Sequence, residues 1–250
     1  MKELRVIPLA GIPEVQPDDD LASLLAAAAQ RAGGFAAGDI LVVAQKVVSK
    51  AEGRIVDLRT VEPRREAVEF AERFDRDARQ VEVVLQESAE ILRMERGLII
   101  SRTHHGFVCA NAGVDASNVG QPDTLTLLPL DPDASARALR DRLIEAFGVD
   151  LAVIVSDSFG RPWRWGIVDV ALGVAGFGPL DDLRGTPDAD GRVMHATVVA
   201  VADEIASAAE LAAGKTSGRP LVLVRGARLP PGDGSVRRDV VMEAGADLFR

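Results

Sequence analysis

Short apolar runs and helical stretches follow one another along this chain without strict alternation, and that irregular order constrains the fold most. Arg5 to Leu9, Asp39 to Val43, Leu151 to Val155 and Leu221 to Arg225 are short apolar runs that predict strands. Gly97 to Arg102, Gly106 to Ala110 and Thr124 to Leu128 read as further strands, and Val47-Val48 as a continuation of the second. Helices are predicted from Leu21 to Ala32, after the N-cap candidates Asp18 to Asp20, and from Asp131 to Phe147, closed by Gly148. Arg64 to Arg93 reads as two helices broken near Asp75 to Asp77. Ala196 to Ala213 reads as a strand passing into a helix, and Val236 to Phe249 as a short terminal helix. Asn111 to Pro122 reads as a loop and Pro230 to Ser235 as a polar linker, and glycines punctuate Gly166 to Gly191. With no fixed-period repeat, this order favours an α+β fold of mixed sheets and helices over a doubly wound sheet.

The chain has 250 residues, 47% of them hydrophobic and 27% charged, enough for a proper core and inconsistent with disorder as the main state. Its net charge of −9 repels phosphate backbones, so no nucleic-acid partner is expected, although a local basic pocket for a nucleotide is compatible with it. The single cysteine, Cys109, precludes an intramolecular disulfide framework and fits a reducing cytoplasm. The N-terminus lacks a signal-peptide pattern and no apolar run is long enough for a membrane span.

Several segments carry chemistry. Gly214-Lys215-Thr216 resembles the end of a phosphate-binding loop, but Ala209 stands where that motif needs a glycine and the preceding residues look helical. A helix end followed by a loop describes it better. In Asn111 to Asn118, Asp115 could hold a hard cation, while an Asx-type turn is the more ordinary reading. Ser156-Asp157-Ser158-Phe159-Gly160-Arg161 follows a buried strand directly. It suits a metal near phosphates, with Arg161 and Arg164 for an anion, and equally suits a strand-to-loop transition with a capping aspartate. Gln45-Lys46 and Lys50 flank the second strand, where edge charges are the plainer reading. His104, His105 and His195 have no cysteine pair near them, so a zinc site is not expected. Asp203-Glu204 read as helix-start acids.

Taken together, these segments resemble the coenzyme F420-0:L-glutamate ligase family. The matching pieces are GIPEVQPDDDLA from Gly11, VVSKAEGR from Val47, NAGVDASNV from Asn111, SDSFGRPWRWG from Ser156 and ATVVAVADEIASAAEL from Ala196. They occur in the family's order over nearly the whole chain, and the ending resembles single-domain bacterial members. The resemblance implies one ligase unit over residues 1–250, with two interleaved lobes (1–85 plus 195–250, and 86–194) and a homodimer. It also implies a GTP-dependent reaction in F420 biosynthesis. The γ-phosphoryl group of GTP passes to the phospholactate carboxylate of F420-0, a deazaflavin. L-glutamate then displaces phosphate from the acyl phosphate to form an amide.

Carried over position by position, the resemblance gives Asp115 and Asp157 as catalytic metal ligands, with Ser158 offering a hydroxyl to a second ion. The ions are Mg²⁺ or Mn²⁺, with K⁺ as a further one. Ile12, Pro13, Glu14, Val15, Gln45, Lys46, Lys50 and Asn118 fall at nucleotide-contacting positions. So do Ala213, Gly214, Lys215, Thr216, Ser217, Gly218, Arg219 and Pro220. Arg161 is a candidate for a substrate phosphate or carboxylate. At Lys215 the chain departs from the family, which has an acidic or amide residue there. An ammonium cannot ligate a divalent cation, so Lys215 is expected on phosphate instead. A ligase for a different carboxylate acceptor and a non-catalytic nucleotide-binding homologue are the alternative readings.

Overall fold

Both faces of the central sheet are covered, which explains why its strands are continuous apolar runs rather than alternating ones. The computed structural model describes residues 3–116 and 122–247. In chain order these form β1 (Arg5–Leu9), α1 (Leu21–Arg31), β2 (Asp39–Ala44), α2 (Gln45–Ala51) and β3 (Ile55–Asp57). Next come α3 (Arg65–Phe74), α4 (Ala78–Gln86), β4 (Ser88–Glu95), β5 (Leu98–Thr103), β6 (Val108–Ala110) and β7 (Thr124–Thr126). The remainder comprises α5 (Pro132–Phe147), β8 (Leu151–Arg161), β9 (Arg164–Ala175), β10 (Asp181–Asp182), β11 (Val198–Val199), α6 (Val201–Ala213) and β12 (Leu221–Arg225).

The central sheet has the order β1-β12-β2-β8-β9. Only β2 and β8 are parallel neighbours; the other pairs are antiparallel. Leu41, Val43, Val153, Val155, Leu221 and Leu223 point to one face and pack on α1, α2 and α5 through Leu25, Val48, Leu139 and Leu143. Ile40, Val42, Ile154, Val222 and Val224 point to the other, under Ala202, Ile205, Ala206 and Ala209 of α6. The β4-β5-β6 sheet packs separately on α3 and α4 through Phe70, Val81, Val84 and Ile99. The architecture is the α+β fold expected, with mixed sheets.

Helix ends follow their local chemistry. Asp20 accepts from the Ser23 N–H at 3.2 Å and caps α1; Asp131 accepts from Ala134 N–H at 2.8 Å and caps α5. Gly148 ends α5 in the left-handed region at φ 66°. Asp133 carries more than a cap. Its buried carboxylate accepts from the N–H groups of Val174 (2.9 Å) and Val236 (3.0 Å) and from Ser235 Oγ (2.7 Å), tying the C-terminal segment to β9. Gly173 lets this happen. A Cβ there would lie 2.2 Å from the Pro132 carbonyl carbon, a distance no side chain tolerates.

Four segments differ from the sequence reading. Val47-Val48 belong to α2 rather than to a strand, because the chain turns helical as soon as β2 leaves the sheet at Ala44. The second of the two charged helices stops at Gln86, and residues from Ser88 pair with β5 as β4. The expected loop after Val155 is instead the outer half of an eleven-residue strand, paired with β9 inside the glycine-punctuated stretch. In place of a terminal helix, Val236–Val240 forms one wide turn of π type and Ala244–Ala246 one 3₁₀ turn; Leu248 and Phe249 lie outside the described residues. Among the described residues, no helix is long and apolar enough to cross a membrane.

Candidate active site

The topology gathers distant sequence segments at one end of the central sheet. β1, β2 and β8 run the same way, and β12 runs against them. The carboxyl ends of the first three therefore lie beside the start of β12. That end is where open sheets with parallel strands place ligands. Gly11 to Val15 leave β1, α2 leaves β2, Ser156 to Ser158 extend β8, and Ala213 to Pro220 lead into β12. Asp115 arrives from the smaller sheets, held by backbone bonds to Thr126 in both directions (3.0 and 2.8 Å).

These segments line a cavity of about 490 Å³. It is walled by Ile12, Pro13, Glu14 and Val15, by Gln45, Lys46 and Lys50, and by Asp115, Asp157 and Ser158. Ala213, Gly214, Lys215, Thr216, Gly218, Arg219 and Pro220 close it. Ser217 and Arg161 do not line it. Ser217 Oγ accepts from Arg219 N–H at 3.2 Å, and Arg161 Nη2 donates to the Trp165 carbonyl at 2.9 Å, nearer the hairpin tip. Asn118 lies outside the described residues. A smaller hollow of about 360 Å³ between α1, α2 and α5 is walled largely by apolar side chains and lies apart from these groups.

Charge in the cavity is closely balanced. Lys46 Nζ pairs with Asp115 at 2.7 Å, so this carboxylate engages a cation from α2. The Lys50 ammonium, buried, pairs with Glu14. Gln45 is buried, and its amide oxygen accepts from Ser49 Oγ at 2.7 Å. Lys215 donates to Ser158 Oγ, and Ser158 Oγ donates to Asp169 Oδ1 at 2.5 Å. Burial pushes the Asp157 carboxyl up to about 7. The Ser158 N–H and the Lys215 charge oppose the rise, while the charges of Asp169 and Asp115 add to it.

Sequence reasoning missed Asp169 and gave Ser156, inside a segment it singled out, no role of its own; both line this cavity. Asp169 sits opposite Ser158 across the hairpin, a register that becomes visible only once Arg164–Ala175 is known to be a strand. The alternation in Val168-Asp169-Val170 was the available signal. Gly214 does follow the end of α6, as the sequence indicated, at φ 74°. Asp203 works as more than a helix-start acid, accepting from the Ala171 N–H of β9 at 2.9 Å.

A family model described as F420-0:gamma-glutamyl ligase matches residues 11–226. The chain belongs to this family. Among its relatives, a coenzyme F420:L-glutamate ligase of Methanothermobacter thermautotrophicus is 48% identical over 225 residues, 89% of each chain. One of Methanopyrus kandleri is 44% identical over 251 residues, covering 99% of this chain and 98% of the relative. One of Methanocaldococcus jannaschii is 42% identical over 214 residues, 85% of each. The family match spans every cavity segment, from Gly11 to the start of β12.

Proposed function

We propose that the chain is a GTP-dependent amide ligase that joins L-glutamate to the free carboxylate of F420-0. The observation that carries the reading is the convergence of Asp115, Asp157 and Ser158 with Lys46, Lys50 and Lys215 in one cavity, in a chain of this family. A carboxylate resists attack by an amine, and phosphorylation supplies the leaving group. A carboxylate oxygen of the acceptor attacks the γ-phosphorus and GDP leaves. The glutamate amine then attacks the acyl carbon, phosphate leaves, and the amine loses a proton. Both steps depend on positioning and on neutralising phosphate charge rather than on a covalent protein nucleophile.

The donor set suits Mg²⁺ or Mn²⁺, being made of carboxylate and hydroxyl oxygens. Among the described residues, no three acidic, histidine or cysteine side chains converge as a ready-made metal cage. That fits ions of this kind, which one or two carboxylates hold together with water and substrate phosphates. Asp157 and Asp115 would hold the ion, which when bound neutralises the phosphoryl oxygens and aligns them for transfer. Lys46, Lys50 and Arg219 supply further positive charge along the walls. Arg161, at the hairpin tip, is the candidate contact for a substrate phosphate or carboxylate. K⁺ as an additional ion, a homodimer and a cytoplasmic setting complete the proposal, on the family's resemblance.

The test is phosphate release from GTP. Wild-type protein should release phosphate only when acceptor, L-glutamate and Mn²⁺ or Mg²⁺ are all present. Asp157→Asn should lose at least three orders of magnitude, because each tenfold corresponds to about 1.4 kcal/mol of transition-state stabilisation. Near-full activity in that variant at saturating Mn²⁺ would refute the assignment.

A further inference from the structure

Lys215 stands where the anionic groups of the cavity meet. Its ammonium donates to Ser158 Oγ. The Ser158 hydroxyl has one proton and gives it to Asp169 Oδ1 at 2.5 Å, while Asp169 Oδ2 accepts from Ser156 Oγ at 3.3 Å. The direction of these bonds decides what Ser158 offers: with its proton committed to Asp169, it presents lone pairs to the cavity and accepts there. Asp169 thus sets the polarity of the hydroxyl that receives the lysine. The positive charge also reaches Asp157, whose ionised form it favours.

A serine oxygen so oriented, with carboxylates nearby, would otherwise be a ligand for a hard cation. Here an ammonium already occupies that direction. A divalent ion placed on Ser158 would meet a like charge at contact distance. The lysine lines the cavity from the loop that begins at Gly214, and an ammonium has three N–H donors, so it can meet an incoming phosphate while it stays on Ser158.

We propose that Lys215, oriented by Ser158 and Asp169, is a built-in cation for the nucleotide phosphates, and that this chain binds nucleotide with one divalent ion, on the Asp157 side. The inference rests on the cavity being the nucleotide site. Lys215 is the cation contact and Asp169 a positioning residue acting through Ser158.

The experiment counts metal ions. Protein saturated with a non-hydrolysable imido analogue of GTP is titrated with Mn²⁺, and tightly bound ions per subunit are counted by electron paramagnetic resonance. The same titration by calorimetry records analogue binding. One ion is expected for the wild type and two for Lys215→Gln, whose amide oxygen can ligate where the ammonium cannot. Asp169→Asn should keep one ion but weaken analogue binding about tenfold, with Lys215 no longer held. Two ions in the wild type would overturn the proposal while leaving the nucleotide site intact, and so would a single ion in Lys215→Gln. Failure of the wild type to bind the analogue at all would overturn the nucleotide site itself, and this inference with it. Because Lys215 is exposed on a loop, its variant should melt with the wild type; were it not to fold, the wild-type count alone still decides.

Discussion

Asp157→Asn should stabilise the ligand-free protein while destroying its activity. In the folded chain this carboxyl titrates at about 7, against an ordinary value of 3.8, chiefly because it is buried. A raised carboxyl means that the folded state holds a proton the unfolded state has already released. Stability from this group is therefore complete below pH 4 and is lost as pH rises through 7. At about 1.4 kcal/mol per pH unit, the full penalty above pH 7 would be roughly 4 kcal/mol. Because part of Asp157 remains open to solvent, screening reduces the expected effect to about 2 kcal/mol. Asparagine keeps the shape and carries no charge to bury. At pH 8, without metal or nucleotide, Asp157→Asn should melt about 4–8 °C above the wild type. At pH 4.5 the two should melt nearly together. Mn²⁺ with a GTP analogue should raise the wild-type melting temperature and leave the variant's nearly unchanged. A variant less stable at pH 8, or a gap that does not change with pH, would refute the claim that burial and neighbouring carboxylates work against this charge.

Other consequences are equally direct. Asp133→Ala should destabilise by about 3 kcal/mol or more in chemical denaturation, because it leaves the buried N–H groups of Val174 and Val236 without their acceptor; a loss below about 1 kcal/mol would contradict that role. Cys109 should ignore thiol reagents in the folded protein at pH 8 and react on unfolding, since burial pushes its thiol up to about 12; rapid labelling of native protein would contradict it. Lys46→Ala should weaken GTP-analogue binding at least tenfold and make it less sensitive to salt, measured by calorimetry at two ionic strengths; unchanged affinity would remove Lys46 from the nucleotide site.

Much of the fold was legible because its strands are buried on both faces. Ile40 to Val43, Leu151 to Val155 and Leu221 to Val224 announce themselves as apolar runs for that reason. The helix from Pro132 to Phe147 was equally plain, with aspartate at one end and glycine at the other. What escaped is where polarity and pairing part company. Ser156 to Arg161 reads as a loop by composition, yet β9 supplies its hydrogen bonds in a hairpin that outruns β2. Trp163 and Trp165 at the tip of that hairpin are exposed, so no burial pattern marks the strand there. Val47-Val48 misled because a β-branched pair fits a strand locally, whereas packing beside β2 favours a helix.

The candidate site shows the same division. Its segments were found by their residue types, but only topology explains why Gly11 to Val15, Lys46, Asp157 and Lys215 meet: the same-direction strands end where β12 begins. Asp115 was the ambiguous case. An Asx turn was the more ordinary expectation, and the structure shows its carboxylate paired with Lys46 across the cavity. Asp169 is the residue that local sequence could not assign, because its place beside Ser158 depends on register between two strands rather than on spacing along one.

The most direct test of the central claim is product mass. Purified protein is incubated with F420-0, L-glutamate, Mn²⁺ or Mg²⁺ and either GTP or ATP, and the products are weighed by mass spectrometry. A glutamylated product in the GTP arm, absent with ATP and absent from Asp157→Asn, is the predicted result, and the mass ladder counts the glutamates added. No glutamylated product from folded protein that binds GTP would contradict the account.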